Sequence, residues 1–501
     1  MENVTSITPL LAVAVSLVGA LLSIFFDKQP NVREGISITA AVAKLALVAG
    51  MLPVILSGGT VSLTLLELSP GIPLGFRVAA MGIMFAMSAS LLYTLTLFYS
   101  IGYMRGANEH RQTRFFAFLA VCLSSTIGLC FAANLLTYLL FYEVLTLATY
   151  PLVVHKGTEE AVNAGRKYLM FLLPGGLALS PAAAITFNEA GTLEFAAGGI
   201  LSASSDPGLL LGVFILFLIG FGVKGGLMPM HSWLPSAMVA PTPVSALLHA
   251  VAVVKAGVFS VARVAGFIFG PSLMHDIGAS RILAVLAGAT ILIASLIAIR
   301  QDDLKARLAY STVGHLSYIL LGCAILAPAA FTGALFHIAT HAAMKITLFF
   351  CAGAIYVTAH KTKISQLDGI GHKMPYTMAA FAIGALGLAG MPAIGGFLSK
   401  WYLAAGAADA GQTWFLVILL VSGVLNAGYL VPIVTRAFLK EPAHDEDDHH
   451  DDHGEASNFM LVPIVICALL AVVLGVTPDA FFHFFSLATQ TVGAISGAGA
   501  W

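Results

Sequence analysis

The residues of this chain that could do chemistry are a few charged side chains inside long apolar segments. Glu143 lies in the run Leu-Leu-Phe-Tyr-Glu-Val-Leu, about ten residues from either end of its segment, which at 1.5 Å per residue is near the centre of a bilayer. A glutamate is too short to reach water from there. A buried charge costs about 2.5–3.5 kcal/mol on insertion scales and usually serves an ion or proton pathway. We therefore interpret Glu143 as a proton-transfer site.

Two lysines and a histidine follow in the next apolar segments. Lys224 lies among glycines shortly before Pro229, and a proline frees a backbone carbonyl and breaks a helix. A lysine beside such a break can be desolvated and exchange a proton. Lys255 is near mid-depth, and His249 lies on a neighbouring face of the same predicted helix. We expect both to touch one water-filled path, although His249 could also be a hydrogen-bonded core histidine.

A polar stripe marks a later segment. His337, His341 and Lys345 recur every four residues and share one face of an otherwise apolar helix. Imidazole titrates in the physiological range, which suits proton relay; a metal ion shared by the two histidines is the alternative. Lys400 follows Pro392 in a second predicted broken helix and completes the set of candidate proton-transfer sites.

Other polar residues in or between the apolar segments carry less weight. We expect Lys44 to snorkel towards water and His315 to lie near its helix end, so both are interpreted as structural. The acidic, His-rich run 444–455 is interpreted as a solvated loop, with incidental divalent-metal binding as the alternative. The five cysteines form no CxxC pair, and we predict no metal site, cofactor or disulfide.

The elements that position these residues are predicted to be transmembrane helices. Of the 501 residues, 58% are hydrophobic and 10% charged, whereas soluble domains carry about 25% charged residues. Continuous apolar runs of about 20 residues predict an all-α integral membrane protein rather than a barrel. Fourteen spans are expected near residues 8–26, 36–56, 78–100, 114–132, 134–154, 168–187, 209–229, 243–266, 277–299, 308–326, 329–357, 374–404, 412–435 and 458–476.

Charge placement predicts the orientation of these spans. With the N-terminus outside, cytoplasmic loops hold sixteen of the 24 lysines and arginines and the opposite loops hold three. This asymmetry follows the positive-inside rule and predicts that both termini are non-cytoplasmic.

Weak internal similarity predicts a repeat. The pentapeptide that begins at Lys167 resembles the one that begins at Lys345, and Gly-Pro breaks recur five helices apart. Because five is odd, corresponding helices would run in opposite directions, as in inverted repeats. We predict a three-helix segment (1–113), two inverted five-helix repeats that each contain a broken helix (114–266 and 267–440), and a final region (441–501) with the loop, the last span and a tail.

Several motifs resemble one family. They are Met-Pro-Met-His-Ser-Trp-Leu-Pro at 228–235, Ala-Pro-Thr-Pro-Val-Ser-Ala-Leu-Leu-His-Ala at 240–250, Phe-Tyr-Glu at 141–143 and Asp-Leu-Lys-Ala-Arg-Leu-Ala-Tyr-Ser-Thr at 303–312. This set is similar to the antiporter-like subunits shared by respiratory complex I, membrane-bound hydrogenases and Mrp-type cation/proton antiporters. The resemblance covers roughly residues 75–440.

The resemblance implies fourteen core helices and a central polar axis. It also implies roles for the matching residues: a charged pair (Glu143, Lys224), a bridging lysine (Lys255), connecting histidines (His249, His337, His341) and a terminal lysine (Lys400). Ser236 departs from the aspartate of many members. The nearest resemblance is to the D-type subunits of Mrp antiporters, because Lys400 stands where complex I M-type subunits usually have glutamate.

The resulting functional prediction is a proton-translocating subunit of a multisubunit Na⁺ (monovalent cation)/H⁺ antiporter, and not an enzyme. The alternative is an N-type or M-type proton-pumping subunit of a complex I or membrane-bound hydrogenase assembly. Expected partners are other membrane subunits, H⁺, Na⁺ and the lipids of a bacterial or archaeal cell membrane, but not nucleic acid. A redox subunit with bound cofactor and a passive scaffold are the rivals from other classes.

Overall fold

The computed structural model describes residues 3–69, 72–441 and 454–499 of the chain. Of these described residues, 77% are helical, which confirms the all-α class. The first seven helices are α1 (Thr8–Phe25), α2 (Pro30–Leu56), α3 (Ala80–Gly106), α4 (Gln112–Phe131), α5 (Leu135–Val153), α6 (Glu159–Ala190) and α7 (Pro207–Lys224). They are followed by α8 (Trp233–Ser236), α9 (Thr242–Ala246), α10 (Val253–Val264), α11 (Pro271–Asp276), α12 (Ala279–Ile299), α13 (Leu304–Ala324) and α14 (Pro328–Ala359). The last six are α15 (Ile370–Lys373), α16 (Pro375–Ala389), α17 (Gly395–Asp409), α18 (Thr413–Leu439), α19 (Asn458–Val476) and α20 (Phe484–Gly497).

The membrane spans correspond to the predicted ones. Within the described ranges, twelve helices are long and apolar enough to cross a bilayer: α1–α7, the continuous segment Thr242–Phe269, α12, α14, α18 and α19. The other two predicted spans match α13 and the pair α16–α17, whose halves have 15 residues each and are too short to cross singly. The inverted relation between the repeats remains a prediction.

Both predicted helix breaks lie where the chain leaves a helix. Helix α7 ends at Lys224, and Pro229 follows in the connection to α8. Helix α16 ends at Ala389, and Pro392 lies before α17 begins at Gly395. A third irregularity was not predicted, because its sequence contains no internal proline or glycine signal. The span that begins with α9 passes through a π-helical turn, Leu247–Val251, before α10 begins, and such turns often mark functional sites.

Several boundaries and elements differ from the sequence expectation. Helix α6 begins nine residues before the predicted 168 because the Thr158 hydroxyl accepts the Ala161 N–H and caps an acidic first turn. Strand β1 (Asn3–Thr5) pairs in parallel with β2 (Thr60–Ser69), which pairs in antiparallel with β3 (Ile72–Val78). This sheet and α20 lie outside the predicted spans.

The core is formed by the helices that carry the candidate residues. Every residue of Thr242–Phe269 except Phe267 is buried, and so are most residues of α14. Helix α14 packs against α3, α9, α13, α16, α17, α19 and α20. Side chains on its inner face are therefore enclosed by protein rather than lipid.

Candidate functional site

The first pair of predicted sites, Glu143 and Lys224, lies where α5 meets the end of α7. The Lys224 ammonium donates to the backbone oxygen of Tyr142 at 2.6 Å and lies 3.3 Å from the centre of that ring. Glu143 Oε1 has no hydrogen-bond partner among the described residues. The carboxylate instead packs against α6, where a Cβ at Gly176 would lie 2.2 Å from Oε1. Glu143 and Lys224 are thus neighbours without a direct ion pair in the described part of the chain.

The next lysine reaches this region through a close helix contact. A Cβ at Gly257 would lie 2.2 Å from the backbone nitrogen of Gly225 and 2.6 Å from the carbonyl carbon of Lys224. Only glycine at 257 therefore allows α10 to touch the broken end of α7. Lys255, two residues away and fully buried, is held next to the first half of the bundle by this contact.

Lys255 begins a row of buried nitrogens. Its Nζ lies 2.7 Å from Nδ1 of His341. The His341 ring stacks on that of His315 with centroids 5.3 Å apart, and Nδ1 of His315 lies 3.3 Å from Nε2 of His337. Nδ1 of His337 then meets the Ser399 hydroxyl at 2.8 Å. These contacts connect α10 to α17 without leaving the protein interior.

The end of the row is Lys400, the residue after Ser399. Its Nζ donates to the backbone oxygen of Leu388, at the end of α16, and lies 5.1 Å from the centre of the Tyr318 ring. The amide of Asn426 also donates towards the Leu388 oxygen, at 3.4 Å. The last turn of α16 thus supplies the backbone acceptor for Lys400, as the Tyr142 carbonyl does for Lys224.

Lys345 lies beside the row rather than within its contacts. Its Nζ donates to Ser311 Oγ at 2.8 Å, and that oxygen lies 3.0 Å from the Tyr429 hydroxyl oxygen. Tyr429 donates its hydroxyl proton to Asn426 Oδ1 at 2.6 Å, so that this branch leads back to the Leu388 carbonyl beside Lys400.

His249 occupies the π-helical turn and is fully buried. Neither ring nitrogen has a hydrogen-bond partner in the described ranges, and the ring lies 4.8 Å from that of Phe349. No hydrogen bond from a described residue therefore supports the interpretation of His249 as a hydrogen-bonded core histidine. An unpartnered buried imidazole is costly, which agrees better with a site that meets water or a proton during function.

A vestibule opens near this turn. It is a cavity of about 320 Å³ on the face that the charge distribution predicts to be cytoplasmic. Charged residues line its mouth, and the Thr242 hydroxyl lies 3.5 Å from that of Tyr103 at its wall. The charged lining residues are Lys156, Glu160, Asp303, Lys305 and Lys361. Thr242 and His249 belong to the same span, so the vestibule and the buried row share one structural element.

Two expectations for minor residues are corrected. Lys44 is completely buried and lies 5.8 Å from the centre of the Tyr93 ring; it does not snorkel, because α2 turns this position towards α3. His315 is not near a helix end, because Asp303 caps the start of α13 and extends the helix. It stands between His337 and His341 in the row.

The sequence did not identify several participants. The Tyr142 carbonyl and ring, Ser399, Ser311 and Asn426 contact the titratable residues but are uncharged, and uncharged residues carry little signal within apolar segments. Ser236 accepts a hydrogen bond of 3.0 Å from Lys167.

The row is not arranged as a metal site. Nδ1 of His337 is taken by Ser399 and Nδ1 of His341 by Lys255. Their remaining nitrogens do not converge with a third ligand within the described residues. The pattern fits hydrogen-bonded proton carriers better than a shared ion.

Comparison with known proteins agrees with this architecture. The sequence profile of the family described as NADH:quinone oxidoreductase/Mrp antiporter, TM, matches residues 132–426. The chain is 32% identical to the N-type subunit of NADH-quinone oxidoreductase of Desulforudis audaxviator over 76% of its own length and 77% of that protein's. It is 28% identical to the D-type subunit of the Na⁺/H⁺ antiporter of Alkalihalophilus pseudofirmus over 93% of each chain.

A solved structure shows the same fold. One chain in the structure of the Mrp complex from Dietzia sp. superposes with a TM-score of 0.86 over 98% of this chain and 99% of that one, at 22% identity. The arrangement of the helices in this chain is therefore a known fold.

Proposed function

This chain belongs to the NADH:quinone oxidoreductase/Mrp antiporter family of membrane subunits, and we propose that it is the proton-translocating subunit of a multisubunit Na⁺ (monovalent cation)/H⁺ antiporter. One observation carries the proposal. Lys255, His341, His315 and His337 form consecutive contacts that cross the middle of the bundle. Lysine and imidazole nitrogens at such spacing can pass a proton along the membrane interior.

The proposed path starts at the broken end of α7. Lys224 holds a proton near Glu143. The negative charge of the Glu143 carboxylate determines how readily Lys224 releases that proton. The close contact of Gly257 with the end of α7 makes Lys255 the next site in the path after Lys224. The proton then passes from Lys255 to His341, and through the stacked imidazoles of His315 and His337.

The exit half of the path depends on the second broken helix. The Ser399 hydroxyl receives a hydrogen bond from, or donates one to, His337 Nδ1 according to the tautomer of the ring. Lys400 is adjacent in sequence and is held by a carbonyl that the end of α16 leaves free. We infer that Lys400 releases the proton, while Lys345 and His249 adjust the row from its side and from the vestibule.

The proposal also covers partners and orientation. The relatives are members of multisubunit assemblies, so other membrane subunits are partners of this chain. We infer that both termini are non-cytoplasmic, that Na⁺ is the exchanged cation and that the chain catalyses no chemical reaction. The match of 93% of each chain to an Na⁺/H⁺ antiporter component favours this assignment.

Neutralising the ends of the path tests the proposal. Lys224→Ala and Lys400→Ala should each abolish the collapse of a proton gradient on addition of Na⁺, measured by acridine orange in everted vesicles that contain the whole complex. Lys28→Ala, at an exposed position between α1 and α2, is the matched control and should transport normally. Native gels should show intact assembly for all three. Normal transport by both buried variants would refute the path.

A redox-driven pump is the second candidate, because identity is higher, at 32%, to the N-type subunit of NADH-quinone oxidoreductase. Purification of the assembly from its native membrane separates the two. Small hydrophobic partners without iron or flavin support the antiporter, whereas iron–sulfur, flavin or nickel partners would assign the same path to a redox enzyme.

A further inference from the structure

A cluster of three metal-binding side chains lies away from the buried row, between two helix connections. Glu109 and His110 belong to the connection between α3 and α4, and His155 follows the end of α5. Each of the three side chains offers one ligand atom, and these atoms all lie within 4.8 Å of one another. The Glu109 carboxylate lies 3.7 Å from Nε2 of His155, and the two imidazole centres are 5.0 Å apart.

His155 is the unusual member of the cluster. Its side chain has no exposed surface, and neither ring nitrogen has a hydrogen-bond partner in the described part of the chain. Buried polar atoms are normally paired, and each orphan requires an explanation. Nε2 of His155 faces the Glu109 carboxylate, and its ring lies beside that of His110, which is exposed, so the cluster reaches the surface through His110.

We propose that Glu109, His110 and His155 bind a divalent transition-metal ion of the zinc type. Two imidazoles and one carboxylate are a donor set that Zn²⁺ takes, with water at the fourth position. Ligand atoms at bonds of about 2.1 Å in a tetrahedron are about 3.4 Å apart. The contact of 3.7 Å between Glu109 and His155 is already close to this spacing, and rotation of exposed His110 brings in the third ligand.

The charges around the cluster determine how tightly it binds. Arg114 donates to the His155 backbone oxygen at 3.2 Å, and Arg111 precedes α4. Both cations oppose a bound metal, whereas Glu109 contributes the compensating negative charge.

A bound ion would join two parts of the chain. The α3–α4 connection contains two non-glycine residues with left-handed backbone, Asn108 and Arg111, and it would be tied to the end of α5. The sequence predicted no metal site because the ligands lie far apart in the chain and form no recognised motif. The site is independent of the proposed proton path, since no member of the cluster belongs to it.

Metal titration of the full-length protein in its assembled complex tests the site. The His-rich run 444–455 offers rival ligands. In every sample, including the reference protein, the histidines of this run are therefore replaced by glutamine. Co²⁺ should bind with the intense visible absorption of a tetrahedral ion, and Zn²⁺ should displace it and raise Tm. His155→Gln should abolish this spectrum. His110→Gln and Glu109→Gln should each weaken binding by at least about tenfold, because each removes one of three protein ligands.

The control is a second histidine–carboxylate pair, which has no third metal-binding side chain beside it among the described residues. His275 and Asp276 are exposed and lie 3.3 Å apart, and His275→Gln should leave the titration unchanged. Equal binding by all the variants, or an octahedral spectrum, would overturn the proposal. If the His155→Gln variant does not assemble, the metal titration of the His110→Gln variant decides the question, because His110 is exposed and its replacement does not disturb the core. Binding is read without transport, so its failure is distinguishable from failure of the proposed antiport.

Discussion

Replacement of Gly176 by alanine is expected to disable Glu143 without changing its charge. A Cβ at this position of α6 would lie 2.2 Å from Oε1, 2.7 Å from Cδ and 2.9 Å from Oε2 of Glu143. Ordinary contact begins at 3.4 Å, so the carboxylate must move by about 1.2 Å. Because all three atoms belong to the end of a flexible side chain, the backbone need not shift.

The expected effect is on transport rather than on stability. A displacement of about 1 Å in a catalytic or transfer group can cost about 100-fold in rate. Alanine also favours the helix by at most about 1 kcal/mol relative to glycine. We therefore expect Na⁺-dependent proton transport in everted vesicles to fall by about 10- to 100-fold, while the Tm of the purified complex stays the same or rises.

Gly212→Ala is the matched control. It makes the same substitution in α7, where a Cβ would meet no atom within 4 Å, so transport should be unchanged. Equal transport by the two variants would refute the reasoning that the position of Glu143 matters. A loss of assembled complex with Gly176→Ala alone would instead contradict the expectation that the side chain yields without the backbone.

Two further predictions concern the exit half and the loop that follows α14. Ser399→Ala removes the 2.8 Å contact with His337. Since an unpaired buried group costs about 1–3 kcal/mol, transport should fall by about 10- to 100-fold. The control is Ser295→Ala, which should not change transport because the Ser295 hydroxyl donates within α12. Two hydrogen bonds from Arg436 lower the pKa of Asp368 below its usual 3.8. This contact therefore stabilises the fold above that pH and is lost as pH falls through the lowered pKa. The Tm difference between wild type and Asp368→Asn should be small at pH 7, corresponding to at most about 1 kcal/mol, and should vanish in acid; a difference independent of pH would contradict it.

Hydropathy was sufficient to predict the spans. Both signals are local: a run of apolar residues must be long enough to cross the bilayer, and a proline or glycine interrupts it. Glu143, Lys224, Lys255 and Lys400 were identified because a charge in such a run is rare.

What the sequence could not predict depends on helix rotation and packing. Whether His315 meets His337 and His341 is set by how α13 is turned against α14, and its helix start was misplaced by four residues. Lys44 was expected at the surface because nothing in its own segment indicates that α3 covers it. The paired strands β2 and β3 lie between two apolar segments, and neither the leucine- and threonine-rich β2 nor the short β3 carried a signal strong enough to compete with the spans.

The contact between Gly176 and Glu143 has a consequence for the assembly as a whole. Helix α6 exposes Met170 and Leu177 on its outer side, so on this side of the half-buried Glu143 it is a wall one helix thick, about 10 Å. A unit charge brought to that outer side acts on Glu143 with about 1.7 kcal/mol at an effective dielectric constant of 20. That energy corresponds to more than a tenfold change in a proton equilibrium. A neighbouring protein can therefore adjust this carboxylate electrostatically, through the wall, without touching it.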